Sequence, residues 1–324
     1  RNMSDRKHAK RKNKQRSAPA RREKRACCKS TPVPARAAKF AYCESMLRCP
    51  VCASALHLAG GSLVCDRGHD FAISKKGTVN FLSRPHESDG YDQDFFENRR
   101  IVFEAGYYEH LVEGVASFFD ARPDLRCIVD VGCGEGFYAK RLIAPRANNS
   151  ASAPSETCSL PSRTLIGLDL SKEALQVAAR GGNDVCWIVG DVAALPLQDS
   201  SMDAVLDVFT PAHYAEFARV LKPGGLLVKV VPGANHLKEL RHAFRDLIRH
   251  EDYTNQLVVD HFQRHFKLLE RIPLAKTTRT TPTELKAFVR MTPLLFGVDE
   301  KTAESRSLPE ITVDAELLVG TPLR

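Results

Sequence analysis

Residues 49–69 read Cys-Pro-Val-Cys, twelve further residues, then Cys-Asp-Arg-Gly-His, and no other stretch restricts the fold of the chain as tightly. Cys49 and Cys52 form a Cys-x-x-Cys knuckle. Cys65 and His69 close a second half-site after an insert, Ala53 to Val64, whose Gly60-Gly61 suits a hairpin turn. Four sulfur and nitrogen ligands in two close pairs match tetrahedral zinc with every position filled by protein, which is a structural site rather than a catalytic one. So small a unit folds on its metal. The competing reading, a redox Cys-x-x-Cys beside an unrelated Cys and His, lacks the thioredoxin-like surroundings of such a motif. A structural module has no reaction of its own, so the chemistry belongs to the longer C-terminal part of the chain.

That part carries its first glycine-rich motif at Ile128-Val-Asp-Val-Gly-Cys-Gly-Glu-Gly136. A β-branched apolar run ends in an acid, Asp130, and then in Gly132, Gly134 and Gly136, ahead of the helix-like Phe137–Ile143. Glycines there let backbone meet a ligand where a side chain would collide. A second strand, Thr164–Leu170, carries Asp169 at its carboxyl end, placed to accept hydrogen bonds from ribose hydroxyls. Val185–Asp191 is a third strand, ending in Asp191, and Asp203–Phe209 a fourth. Leu221-Lys-Pro-Gly-Gly225 is the turn before a fifth, Leu226–Val231. This order resembles class I S-adenosylmethionine (SAM) methyltransferases. A dinucleotide-binding fold would want a glycine farther into the helix and no Lys-Pro-Gly-Gly turn. The fold class expected is α/β, a Rossmann-like methyltransferase domain on a mostly parallel seven-stranded sheet, with a small N-terminal zinc-binding module.

Charge divides the chain unevenly. Residues 1–40 carry 15 Lys and Arg against two acids, Asp5 and Glu23, a net of +13; since the whole chain is +8, the remainder is −5. The basic character belongs to the tail. Its composition predicts disorder and suits a transit segment for a plastid or mitochondrion, an arm tracking RNA phosphates, or a nuclear signal. The chain opens at Arg1 rather than Met, as a fragment would. The expected organisation is a basic disordered tail (1–45), the zinc module (46–84), a helical linker (85–120) and the methyltransferase domain (121–324), with 145–162 a disordered Ser/Ala/Asn/Pro insertion. Apolar spacing over Asp92–Phe119 predicts two helices with a turn at Gly106-Tyr107-Tyr108. No apolar run is long enough to span a membrane. Of ten cysteines, four are metal ligands and Cys127, Cys133 and Cys186 lie in or beside buried strands, a usage that favours a reducing compartment such as the cytoplasm. The oligomeric state stays open, a homodimer included.

Residues 47–296 carry a narrower resemblance, to the RlmA-type rRNA (guanine-N1)-methyltransferases of bacteria. The matching residues are the four zinc ligands, Lys76-Gly-Thr-Val-Asn-Phe-Leu82, Arg99-Arg100 with Ala105-Gly-Tyr-Tyr108, and Asp130-Val-Gly-Cys-Gly-Glu-Gly136. Pro232-Gly-Ala-Asn-His-Leu-Lys-Glu-Leu240 and Met291-Thr-Pro293 complete the series. The resemblance implies SAM contacts at Tyr108, Gly134, Glu135 and His236, and as substrate a guanine in a hairpin of large-subunit (23S) rRNA. The basic tail and the 145–162 insertion are extra to the family and suit a eukaryotic, organellar relative.

Guanine N1 holds a proton at neutral pH and must lose it to attack a methyl group, so an acceptor is needed near the base's edge. Asp207, at the end of the fourth strand, is the candidate, against the plainer reading of a solvated turn acid. His236 and Tyr108 have plain readings too, a helix-start hydrogen bond and core packing. A base in a hairpin must be unstacked to be reached, and Arg48, Arg67, Lys75, Lys76 and Phe71 give the zinc module the mixture for phosphate contact and stacking. On this reading module and catalytic domain form two walls of one cleft. Two other classes compete: a small-molecule, quinone-type methyltransferase, which would usually lack a zinc module, and a non-enzymatic RNA-binding protein, against which the intact Asp130, Gly132, Gly134 and Asp169 argue.

Overall fold

The computed structural model describes residues 32–84, 93–144, 163–180, 184–248, 253–299, 301–302 and 305–323. The disorder expected of 1–31 and 145–162 falls outside these residues. Composition predicts a tail that runs to residue 45, but 32–46 are folded. A short helix α1 (Ala35–Ala38) is followed by 3-10 turns at Lys39–Tyr42 and Glu44–Met46. Ala37, Phe40 and Cys43 are fully buried. Their three-residue spacing lines one face of a tight coil, a pattern hidden in the sequence by the Arg and Lys residues around it.

Strands β1 (Leu56–Ala59), β2 (Ser62–Cys65) and β3 (Asp70–Ala72) form a small antiparallel sheet. Gly60, at φ 59°, turns the chain between the first two, where the glycine pair predicts a hairpin. Strand β4 (Thr78–Asn80) leaves this sheet and joins another. Helix α2 (Gln93–Glu104) and helix α3 (Glu109–Asp120) flank the expected turn at residues 105–108. The Tyr107 hydroxyl donates to Arg279 O at 2.9 Å and lies 2.9 Å from Glu284 Oε2, which fixes that turn to the C-terminal part of the chain.

The catalytic core alternates β5 (Cys127–Val131), α4 (Phe137–Ile143), β6 (Thr164–Asp169), α5 (Lys172–Ala178), β7 (Cys186–Val189), β8 (Met202–Val208), α6 (Tyr214–Val220) and β9 (Leu221–Pro232). Next come α7 (Lys238–Ala243), α8 (Gln256–His265), β10 (Phe266–Arg279), α9 (Pro282–Met291) and β11 (Glu310–Pro322). The strands lie in the order β10-β11-β9-β8-β5-β6-β7-β4, antiparallel where β11 meets β9 and β10 and parallel elsewhere. Beyond the seven expected strands, β4 is the eighth, with Val79 opposite Ile188 of β7. The last parallel strand begins earlier than Leu226, because Leu221 already pairs with Met202 across an irregularity in register. Strands buried on both faces need near-continuous apolar runs; β7 is one throughout, and β5 is broken only by Asp130.

Chain order runs from β5 out through β6 to β7, then returns to the other flank of β5 for β8 and β9. The carboxyl ends of β5, β6 and β8 therefore meet at a reversal of strand order, where open α/β sheets form their ligand crevice. The module sits on the β7 side. Leu47 bridges Leu197, Arg48 N–H donates to Pro196 O at 3.0 Å, and Gln198 N–H donates to Met46 O at 2.8 Å. Leu56 and Leu63 share a core with Ile166 and Ile188.

Candidate active site and metal centre

The hairpin turns bring Cys49, Cys52, Cys65 and His69 together with their ligand atoms all within 4.8 Å of one another. His69 Nδ1 lies 3.5 Å from Cys49 Sγ and 3.3 Å from Cys65 Sγ, and Cys52 Sγ is 3.7 Å from Cys65 Sγ. A tetrahedron with Zn–S of ~2.3 Å and Zn–N of ~2.0 Å has edges of about 3.5–3.8 Å, and the three distances above lie close to them, so the donor set fits zinc. Four protein ligands leave no coordination position for a substrate.

A cavity of about 710 Å³ opens at the carboxyl ends of the central strands. Gly132 and Gly134 line it with φ of 66° and 54°. A Cβ on Gly132 would fall 2.3 Å from Thr210 Oγ1, and one on Gly134 3.0 Å from Arg99 Nη1. Asp169 borders the same cavity and accepts from Gly134 N–H and Ser171 N–H, both at 2.8 Å, so the acid of one strand shapes the glycine loop of the next. Burial raises its pKa. Asp130 lies beneath the loop, 1% exposed, and among the described residues its Oδ2 has no hydrogen-bond partner. Burial, and then the nearby Asp169 and Asp207 carboxylates, push its pKa up to about 8. A glycine cradle and an acid at the end of β6 fit a cofactor with a ribose, and the orphaned Asp130 acceptor lies outside the cavity lining.

The other expected cofactor residues divide. Tyr108 lines the cavity, 4% exposed and stacked on Phe103 with ring centres 4.7 Å apart. His236 also lines it, with Nδ1 2.8 Å from Asp314 O. A carbonyl only accepts, so Nδ1 carries the proton. Burial lowers the pKa of this histidine to about 4, which keeps the ring neutral and leaves Nε2 an acceptor. Asp130, Glu135 and Asp191 are not among the residues lining the cavity. Glu135 pairs with Arg99 at 3.5 Å, and it is Arg99 that faces inward. Asp191 caps the turn at Val192–Ala194 through Ala193 N–H, at 2.8 Å, between the lining residues Gly190 and Val192.

Asp207 is a correction. It is fully buried, and Lys229 Nζ donates to its Oδ2 at 2.6 Å. Thr210 N–H donates to the other oxygen at 3.2 Å, and Lys229 also donates to Thr210 O at 2.8 Å. A carboxylate sealed in this way does not reach a base in the cavity. Lys229, opposite it on β9, is what its own strand does not reveal.

The two-walled cleft is a second correction. Among the described residues the cavity wall takes none from 46–84; it comes from α2 (Phe95, Phe96, Arg99, Phe103) and the end of α9 (Met291–Leu294). Of the module's expected RNA-contacting side chains, Arg48 pairs with Asp199 at 3.4 Å and Lys76 donates to Gln176 at 2.8 Å, while Phe71 packs edge-on against Phe81. Arg67 and Lys75 are exposed. Sequence reasoning passes over Arg99, Phe209 and Pro293 as site residues. Arg99 and Pro293 stand inside motifs that carry the family resemblance, and Phe209 ends a predicted strand.

Fold and site define a class I SAM-dependent methyltransferase domain carrying a structural zinc ribbon. Residues 129–229 match the family model described as "Methyltransferase domain", and residues 47–86 match "RlmA, N-terminal", a zinc ribbon. The 23S rRNA (guanine(748)-N(1))-methyltransferase of Streptomyces fradiae is 31% identical over 86% of this chain and 97% of its own. YxjB of Bacillus subtilis (strain 168), provisionally named a 23S rRNA (guanine-N(1)-)-methyltransferase, is 32% identical over 85% of this chain and 97% of its own. The chain belongs to this RlmA-type methyltransferase family. By contrast, the malonyl-[acyl-carrier protein] O-methyltransferase of Dechloromonas aromatica (strain RCB), 33% identical, matches 38% of the chain and 43% of its own.

Proposed function

We propose that this protein methylates N1 of a guanine in a hairpin of large-subunit rRNA. The observation that carries this reading is likeness at full length. Relatives named for that activity match the zinc ribbon and the catalytic domain together, at 31–32% identity, whereas the acyl-carrier-protein methyltransferase matches 38% of the chain.

SAM would supply a methyl group from its sulfonium, which is left as a neutral thioether, and the N1 proton of the base would pass to solvent. The chain's own contribution is placement and exclusion of water. The loop at Gly132 and Gly134 would meet the cofactor with backbone, Asp169 would accept from its ribose, and the orphaned Asp130 oxygen would take its ammonium once ionised. Tyr108 and Phe103 wall off solvent, with burial holding the Tyr108 hydroxyl protonated, its pKa pushed up to about 12. His236 stays neutral and offers Nε2 to an N–H on the base. Arg67 and Lys75 reach RNA phosphates outside the cavity.

Among the described residues no helix is long and apolar enough to cross a membrane, and all seven cysteines are unpaired. The proposal extends to an organelle, on the strength of the net +13 charge of residues 1–40. Mass-spectrometric mapping of methylated guanines in each cellular rRNA pool, with and without the protein, tests the substrate. Loss of one N1-methylguanosine is expected, and unchanged maps would overturn the reading.

A further inference from the structure

We infer that Phe209 is the platform on which the acceptor guanine stacks, and that the sealed Asp207–Lys229 pair is the clamp that aims it. This inference rests on the proposed rRNA activity.

Phe209 has φ 56°, a left-handed conformation that is an outlier for a bulky residue and persists where the surroundings impose it. The surroundings do so here. Phe209 N–H donates to Val230 O at 3.1 Å, and both backbone polar groups of the next residue, Thr210 N–H and Thr210 O, are held by Asp207 and Lys229. A charge pair removed from water is costly, and replacing one by apolar residues is often neutral or better for stability. Its retention beneath a strained aromatic points to geometry rather than stability.

The strain does not serve burial, because Phe209 is 38% exposed and lines the cavity. The rings of Tyr108 and His236 approach it at 6.4 Å and 5.4 Å, inclined by 79° and 48°. Among the described residues no ring lies parallel on it, and its 38% exposure faces the cavity, where a flat ligand can stack. Sidedness assigns the occupant. The glycine loop and Asp169 hold the β5–β6 side of the crevice, and Phe209 follows β8 on the opposite flank of β5. A methyl acceptor approaches from behind the methyl carbon, away from the cofactor's own cradle. An apolar face beside the Nε2 acceptor of His236 suits a flat base with N–H donors on its edge, and guanine presents N1–H and its 2-amino group there.

Phe209→Tyr, Phe209→Leu and Phe209→Gly, made in the full chain, test this with methylation of deproteinised 23S rRNA, calorimetric SAM affinity and thermal melting. Tyr should hold kcat/KM within about twofold. Leu and Gly should lose about 10- to 100-fold, the loss of one base–aromatic stack, with SAM affinity unchanged. The Gly variant should melt at or above the wild-type temperature, since glycine adopts positive φ freely. Three results would overturn the inference: wild-type activity in the Leu variant, a fall in melting temperature that tracks activity in the Gly variant, or a parallel loss of SAM affinity. Wild-type protein that binds SAM yet methylates no guanine in any 23S-type rRNA would instead remove the rRNA reading, and the guanine platform with it.

Discussion

The ends of β6 and β8 start from one sequence cue, an acid closing an apolar strand, and finish as opposites. Asp169 stays at the crevice, its oxygens shaping the glycine loop while facing the cavity. Asp207 is consumed internally, locked to Lys229 and to the turn it supports. The difference lies in what stands across the sheet. Beside Asp207, β9 places a lysine in register, whereas β7 places Val189 beside Asp169. A polar group acts on a ligand only if the fold has not already spent it, and the same division runs through the rest of the molecule.

The zinc cluster is the most completely spent set, and removing it should have the largest effect. Structural zinc binding contributes on the order of 10–16 kcal/mol in small metal-folded units. Cys65→Ser should release the metal. Because β4 pairs with β7 and the module shares a core with β6 and β7, the catalytic domain should lose melting temperature as well. Metal content and calorimetric melting of the full chain check this; a catalytic transition at the wild-type temperature would show the module to be independent.

Next in size is the clamp. Lys229→Met leaves Asp207 buried without a countercharge and should cost about 3–5 kcal/mol, whereas Asp207→Leu with Lys229→Met together should recover most of that. Asp169→Ala should instead weaken SAM binding, through the lost acceptor and a looser glycine loop, by about 1–3 kcal/mol. Denaturant melts and SAM titrations on the three variants separate the classes. If Lys229→Met changed SAM affinity more than stability, the contrast between the two strand ends would fail.

Asp130 offers a test by pH. Its folded-state pKa, about 8 against an ordinary 3.8, lies above the unfolded value. The stability it adds is therefore fully present below pH ~4 and is lost as pH rises towards 8. An ammonium at its free oxygen requires the ionised form, so SAM binding should expel a proton and strengthen with pH up to about 8. Asp130→Asn should flatten both profiles. Calorimetry in buffers of different ionisation enthalpy reads the proton directly, and zero proton release at pH 7 would remove Asp130 from the cofactor site.

The parts legible in sequence are those set by local chemistry. Metal-ligand spacing, the glycines before α4 and the acid ending β6 each follow from a short pattern. The hidden parts depend on partners far along the chain. Lys229 lies 22 residues beyond Asp207, and Arg48 finds Asp199 across 151 residues. The folded segment at Ala37, Phe40 and Cys43 is masked for another reason, since a strong charge run outweighs three apolar residues in any compositional window. Phe209 escapes notice because a left-handed backbone has no sequence mark when the residue is not glycine.

The smallest effect belongs to the module's exposed cations, where spent and available groups stand side by side. Arg48 and Lys76 are committed to the catalytic domain, and Arg67 and Lys75 are exposed. Each phosphate contact contributes about 0.7–0.9 to the slope of log affinity against log salt. Arg67→Glu with Lys75→Glu should therefore flatten that slope by about 1.4–1.8 and weaken rRNA binding several-fold near 0.1 M salt, leaving SAM affinity and melting temperature alone. Arg48→Ala should do the reverse, lowering stability slightly with little change in slope, because its charge already faces Asp199 and Glu216. Filter binding over a salt series distinguishes the two patterns. An unchanged slope in the double variant would mean that RNA reaches the cavity past α2 and the α9 turn without touching the module, and the zinc ribbon would then support the fold rather than the substrate.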